Sequence, residues 1–176
     1  MAPRASSGRR RRADTTPRPN RGPRIMLQGA TGLVAAALRR AARLVLRRHG
    51  VRAGRLEVAI VGDAAMKRAH REWMSDGRST DVLTFDLRDE PDTGLVDGLI
   101  MVCRDEARRQ ARVFGRRVTD ELTLYVVHGC LHLVGFEDRR TADFRRMHER
   151  EDQMLTELGV PPAHILPHGE SGGRRR

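Results

Sequence analysis

Two cysteines in 176 residues, Cys103 and Cys130, are too few for a disulfide framework, and no pair of Cys-x-x-Cys motifs offers a cysteine zinc site. That count suits a reducing cytoplasm. No stretch reaches the roughly 20 apolar residues of a membrane span, and the N-terminus lacks the apolar core of a secretory signal. The expectation is a cytoplasmic protein without a membrane partner. Lysine is nearly absent as well, Lys67 being the one lysine among 34 basic residues. The arginines crowd the ends: residues 1–24 hold eight against Asp14, and the last ten residues hold three against Glu170. Most of the formal charge of +11 therefore belongs to the tails, and the nearly balanced body is not marked as a nucleic-acid binder by charge alone. The tails can still add nonspecific phosphate contacts.

The length suits one domain with its own core. Residues 1–28 are rich in Arg, Pro, Gly and Ser without apolar periodicity and are expected to be a disordered tail. The domain is expected over 29–166, with a second disordered tail at 167–176. Thr31 can cap a helix whose apolar residues Leu33, Val34, Ala37, Leu38, Ala41, Leu44 and Val45 recur at three- and four-residue steps, ending near Gly50. Leu56, Val58 and Ile60 alternate as a half-buried strand, and Asp63 sits where a cap belongs for a helix through Trp73. A loop is expected at 76–81, strands over Val82 to Leu87 and Leu99 to Cys103, and a turn around Pro91, Asp92 and Gly94. Arg104 to Phe114 is helical in composition. Thr119 can cap a long helix that stops at Gly135, and a last helix runs from Thr141 to Leu158, closed by Gly159. These elements make an α/β (α+β) fold with helices around a small mixed sheet of at least three strands.

The chemistry lies in His128-Gly-Cys-Leu-His132-Leu-Val-Gly135-Phe-Glu-Asp138. Histidines four apart project from one helical face and can reach one ion. Gly135 breaks the helix, so that the chain turns back and brings Asp138 within reach of the same metal. Two imidazoles, a carboxylate and an open position make a catalytic zinc site, whereas structural sites usually have four protein ligands. One zinc per chain is expected. Glu137, one residue early, is the competing ligand. Cys130 points away and reads as a small buried apolar residue, and His49, His70, His148, His164 and His168 read as surface or structural histidines. The metal-helix spacing is metzincin-like, yet the glutamate that serves zinc proteases as general base, directly after the first histidine, is replaced by Gly129. That absence argues against peptide hydrolysis.

From about Leu56 to Leu158, the strand Leu56-Glu-Val-Ala-Ile-Val, the segment Ser79-Thr-Asp-Val-Leu-Thr-Phe85, the strand near Gly98 to Cys103 and the His128 to Asp138 motif resemble the bacterial YbeY family. The resemblance implies helices around a four-stranded sheet and a zinc-dependent endoribonuclease. Its implied partner is single-stranded RNA, within ribosomal RNA maturation and ribosome quality control. Three positions depart from the family pattern: Asp138 stands where a histidine is usual, Met74 where an arginine is usual, and Leu99 where an acidic residue often follows the strand glycine, with Asp97 nearby. Arg71 or Arg78 can replace the missing arginine, Arg78 being the catalytic candidate. The alternatives are an RNA-binding ribosome-assembly factor with a structural zinc and, more distantly, a metalloprotease.

Overall fold

The computed structural model describes residues 22–74, 80–90 and 94–163, the side chain of Met74 excepted. Within them lie four strands and five helices: β1 (Arg24–Gln28), α1 (Gly32–Arg48), β2 (Ala53–Val61), α2 (Asp63–Met74), β3 (Val82–Asp86), β4 (Leu95–Cys103), α3 (Arg104–Val113), α4 (Val118–Leu133) and α5 (Thr141–Leu158). The sheet order is β1-β2-β4-β3. β1, β2 and β4 are parallel, and β3 runs antiparallel to β4 at the edge. The expected mixed sheet with surrounding helices is the observed architecture.

β1 corrects the expectation of a disordered tail over residues 1–28. Arg24–Gln28 pair with Arg55–Ala59, and Ile25 is buried beneath them. A five-residue edge strand buries too few residues to show a period, and most of its stabilisation comes from hydrogen bonds that a distant segment supplies. A second correction concerns α4, which starts at Val118 with Arg117 as its N-terminal cap position, so Thr119 lies inside the first turn rather than capping it. The Arg117 guanidinium pairs with Asp120, 2.8 Å away, across that turn. β2 and β4 are also longer than the alternating segments read from sequence, because the register between them runs from Ala53↔Leu95 to Val61↔Cys103.

α1 and α5 both pack on α4, which lies against β3 and β4. Leu38, Leu46, Leu56, Ile100, Leu131, Met147 and Leu155 are fully buried in that main core. Each contributes about 1.5–3 kcal/mol by leaving water. A smaller cluster of Met66, Ala69, Leu83 and Cys103 fixes α2. Among the described residues no helix is long and apolar enough to cross a membrane.

Candidate metal centre

α4 carries the centre because two glycines let it approach the sheet. A β-carbon on Gly129 would lie 2.9 Å from the Thr84 hydroxyl oxygen and 2.9 Å from Ile100 Cγ2, and one on Gly98 of β4 would lie 2.9 Å from both methyl groups of Leu133. A side chain at either place would force Thr84 and Ile100, or Leu133, to shift. At its C-terminal end α4 closes in a Schellman arrangement: Gly135, at φ 93°, donates its N–H to the His132 carbonyl, and Phe136 donates to that of Leu131. The chain then reverses and returns Asp138 to the helix face that bears the histidines. Arg88 supports the same helix end by donating to the Leu133 carbonyl while ion-paired to Asp86 at 2.6 Å.

His128 and His132 face each other with Nε2 atoms 3.0 Å apart, and Asp138 Oδ2 lies 4.0 Å from the first and 3.8 Å from the second. These three are the group of ligand-type side chains among the described residues whose donor atoms converge, all within 4.8 Å of one another. Tetrahedral bonds of zinc to nitrogen and oxygen place neighbouring ligand atoms ~3.3 Å apart, so the donor set fits such an ion with little adjustment. The rings are anchored from behind. His132 Nδ1 donates to the Phe136 carbonyl at 3.0 Å, and His128 Nδ1 donates to Glu151 Oε1 at 2.6 Å. Both Nε2 lone pairs are thereby directed at one point.

Burial alone would push the His128 pKa down, but the Glu151 hydrogen bond and charge, with Asp81 and Asp138 adding theirs, hold it above the ordinary histidine value. Metal and proton therefore compete for this ring. Cys130, as expected, is fully buried, and desolvation pushes its thiol up to about 12. It is no ligand. Glu137 is exposed and outside the convergent group, although it lines the same cavity. That cavity, about 390 Å³, is bordered by Val82 to Asp86 of the edge strand, by both histidines and by Glu137, Asp138 and Arg139. Arg78 lies outside the described residues, and Arg71 is exposed in the last turn of α2.

Residues 27–159 match the family described as "Endoribonuclease YbeY". The chain belongs to the YbeY family. It is 36% identical over 140 residues to the endoribonuclease YbeY of Anaeromyxobacter dehalogenans, covering 80% of this chain and 72% of that one. A relative of the same name from Anaeromyxobacter sp. strain Fw109-5 is 36% identical over 65% of this chain and 59% of its own length. The solution structure of TM1509 from Thermotoga maritima is similar in fold, with a TM-score of 0.54 and 25% identity over 83% of this chain and 99% of that one. The family match thus runs from the end of β1 through α1 to α5, wider than the motif-bearing region from Leu56 to Leu158.

Sequence reasoning missed Glu151. It is fully buried, and its second oxygen accepts from His148 Nδ1 at 2.6 Å, so the surface or structural histidine expected at 148 is a structural partner of the centre. Burial would raise the Glu151 pKa, yet hydrogen bonds and charge from His128 and His148 hold it below the ordinary carboxylate range. A signal was present. Met147, Glu151, Met154 and Leu155 form one stripe of α5, and a carboxylate in an apolar stripe requires a buried partner.

Proposed function

We propose that the chain is a zinc-dependent endoribonuclease cleaving single-stranded RNA in ribosomal RNA maturation and ribosome quality control, with one zinc held by His128, His132 and Asp138. The observation that carries this reading is the convergence of two oriented imidazoles and a carboxylate at the open wall of a cavity. Zinc bound there supplies Lewis acidity toward a phosphodiester and a water of lowered pKa. His128 and His132 would hold the ion through Nε2, because their Nδ1 protons are committed to Glu151 and the Phe136 carbonyl. Asp138 contributes one negative charge and, being half-exposed, leaves the approach from solvent open.

Charge on the phosphate needs a cation. Arg139 lines the cavity, and Arg78 remains the candidate that the sequence nominates. A cytoplasmic location accords with RNA as substrate. The family name and the ligand set support hydrolysis over a purely structural zinc, since a structural site normally has four protein ligands. The assembly-factor reading keeps one observation in its favour, Met74 in place of an arginine. A protease is disfavoured because Gly129 is packed against the sheet and leaves no room for a general base.

The test is metal analysis of the purified chain together with cleavage of a single-stranded RNA, with and without chelator. One zinc per chain and chelator-sensitive cleavage are expected, both lost in the His128→Ala, His132→Ala double variant. Full zinc without cleavage would transfer the protein to the assembly-factor reading, and stoichiometric zinc in the double variant would refute the ligand placement.

A further inference from the structure

We propose that Glu151 is a positioning residue that fixes His128 in its metal-ready tautomer and ties α5 to the metal helix, with His148 holding the carboxylate's other oxygen. This inference rests on the metal reading above. Glu151 Oε1 is 2.6 Å from His128 Nδ1 and Oε2 is 2.6 Å from His148 Nδ1, so one carboxylate bridges an imidazole of α4 and one of α5. It is fully buried, between Met147 and Met154 on the stripe that α5 buries, and the His148 ring is in turn met edge-on by Phe144 at 3.9 Å between centroids. With both oxygens held by rings and none of its surface open, Glu151 cannot reach a substrate, which excludes a direct catalytic role.

The physical consequence follows from the two-nitrogen nature of imidazole. A neutral ring has one N–H, and the acceptor that holds it decides which nitrogen keeps a lone pair for metal. Without Glu151 the ring of His128 can turn or carry its proton on Nε2, and each such state must be reversed before the ion binds. Loss of an orienting partner of this kind typically weakens metal affinity by about 10–100-fold. By the same linkage, zinc should protect α5 as well as α4, because the carboxylate transmits the fixed position of His128 to α5.

Zinc affinity measured by chelator competition, melting of the zinc-free protein, and the imidazole ¹⁵N–¹H spectrum of the zinc-loaded protein test this together on the full chain. Glu151→Leu fills similar volume without either acceptor, and Glu151→Met, which also lacks both, decides the matter if the leucine variant does not fold. The expected result is a zinc Kd raised by about 10-fold or more, loss of the His128 Nδ1–H signal, and less zinc-induced protection of α5 amides against hydrogen exchange. His148→Leu should give a smaller weakening of the same sign. A Glu151 variant that folds, binds zinc within twofold of wild type and keeps the Nδ1–H signal overturns the proposal while leaving the metal reading intact. Wild-type protein that binds no zinc overturns both.

Discussion

Gly129 and Thr84 meet so closely that a β-carbon on the glycine would sit 2.9 Å from the threonine hydroxyl oxygen. This contact sets the helix carrying His128 and His132 against the edge strand that forms one wall of the cavity. A glutamate at position 129, where zinc proteases carry their base, would meet Thr84 and Ile100 at its β-carbon.

Gly129→Ala should therefore destabilise the fold although alanine is the better helix former. The helix gain is about 1 kcal/mol, while overpacking a core contact costs about 1–3 kcal/mol. Urea unfolding of the metal-free protein should show a lower midpoint with an unchanged slope, and zinc should bind more weakly as α4 is pushed from β3. A raised midpoint would mean that Thr84 and Ile100 yield freely.

Asp138 and Glu137 separate cleanly by substitution. Glu137→Gln should leave zinc content and affinity unchanged, whereas Asp138→Ala should weaken binding because two protein ligands remain. Asp138→His should retain zinc and move the rising limb of the ribonuclease pH profile to lower pH, since a neutral imidazole leaves more positive charge at the centre. Unaltered zinc affinity in Asp138→Ala would instead promote Glu137.

Glu121 gives a pH dependence of opposite sign to that of a salt-bridged carboxylate. Burial raises its pKa above the ordinary 4.5 despite the opposing charge of Arg116, with Asp120 and Asp81 adding to the rise. Oε1 has no hydrogen-bond partner, and Arg116 stands 3.6 Å away. The folded state thus holds a proton that the unfolded state has lost between pH 4.5 and the raised value. Stability falls as pH rises through that window, and the cost is complete above it. Glu121→Gln should gain about 1 kcal/mol at pH 8 and nothing at pH 4, read as melting temperatures at the two pH values. An equal gain at both would remove ionisation as the cause.

Truncation distinguishes tail from strand. Removing residues 1–21 should preserve a cooperative unfolding transition, with RNA affinity reduced at low salt through the lost arginines. Removing residues 1–28 deletes β1, strips the outer edge of β2 and loses the burial of Ile25, worth about 2 kcal/mol for that side chain alone. Equal melting temperatures for the two truncations would show that β1 contributes nothing.

The convergence of His128, His132 and Asp138 was legible because it is local. The four-residue step from His128 to His132 follows from helix pitch, and Gly135 three residues later permits the reversal that returns Asp138, so eleven consecutive residues specify the arrangement. α1 and α5 were legible for a related reason: their apolar stripes repeat over four or five turns, and Gly159, at φ 75°, ends the second. β1 was not, since Arg24–Gln28 carries little pattern of its own and becomes a strand through hydrogen bonds to β2, 31 residues on in register. Thr119 misled because capping residues are also ordinary first-turn residues, and the Arg117–Asp120 pair favoured an earlier start.

By itself, then, the sequence determined the helical face that bears the histidines, the turn that returns Asp138 and the chemistry those donors allow. Tertiary structure alone decided what stands behind and beside them. Glu151 reaches His128 from 23 residues away only after α5 docks on α4, and position 129 becomes crowded only once β3 and β4 lie against it. The physical reason is range: pitch and backbone torsion act over a few residues and can be read in order. Burial, by contrast, brings together groups whose separation along the chain carries no trace of their contact.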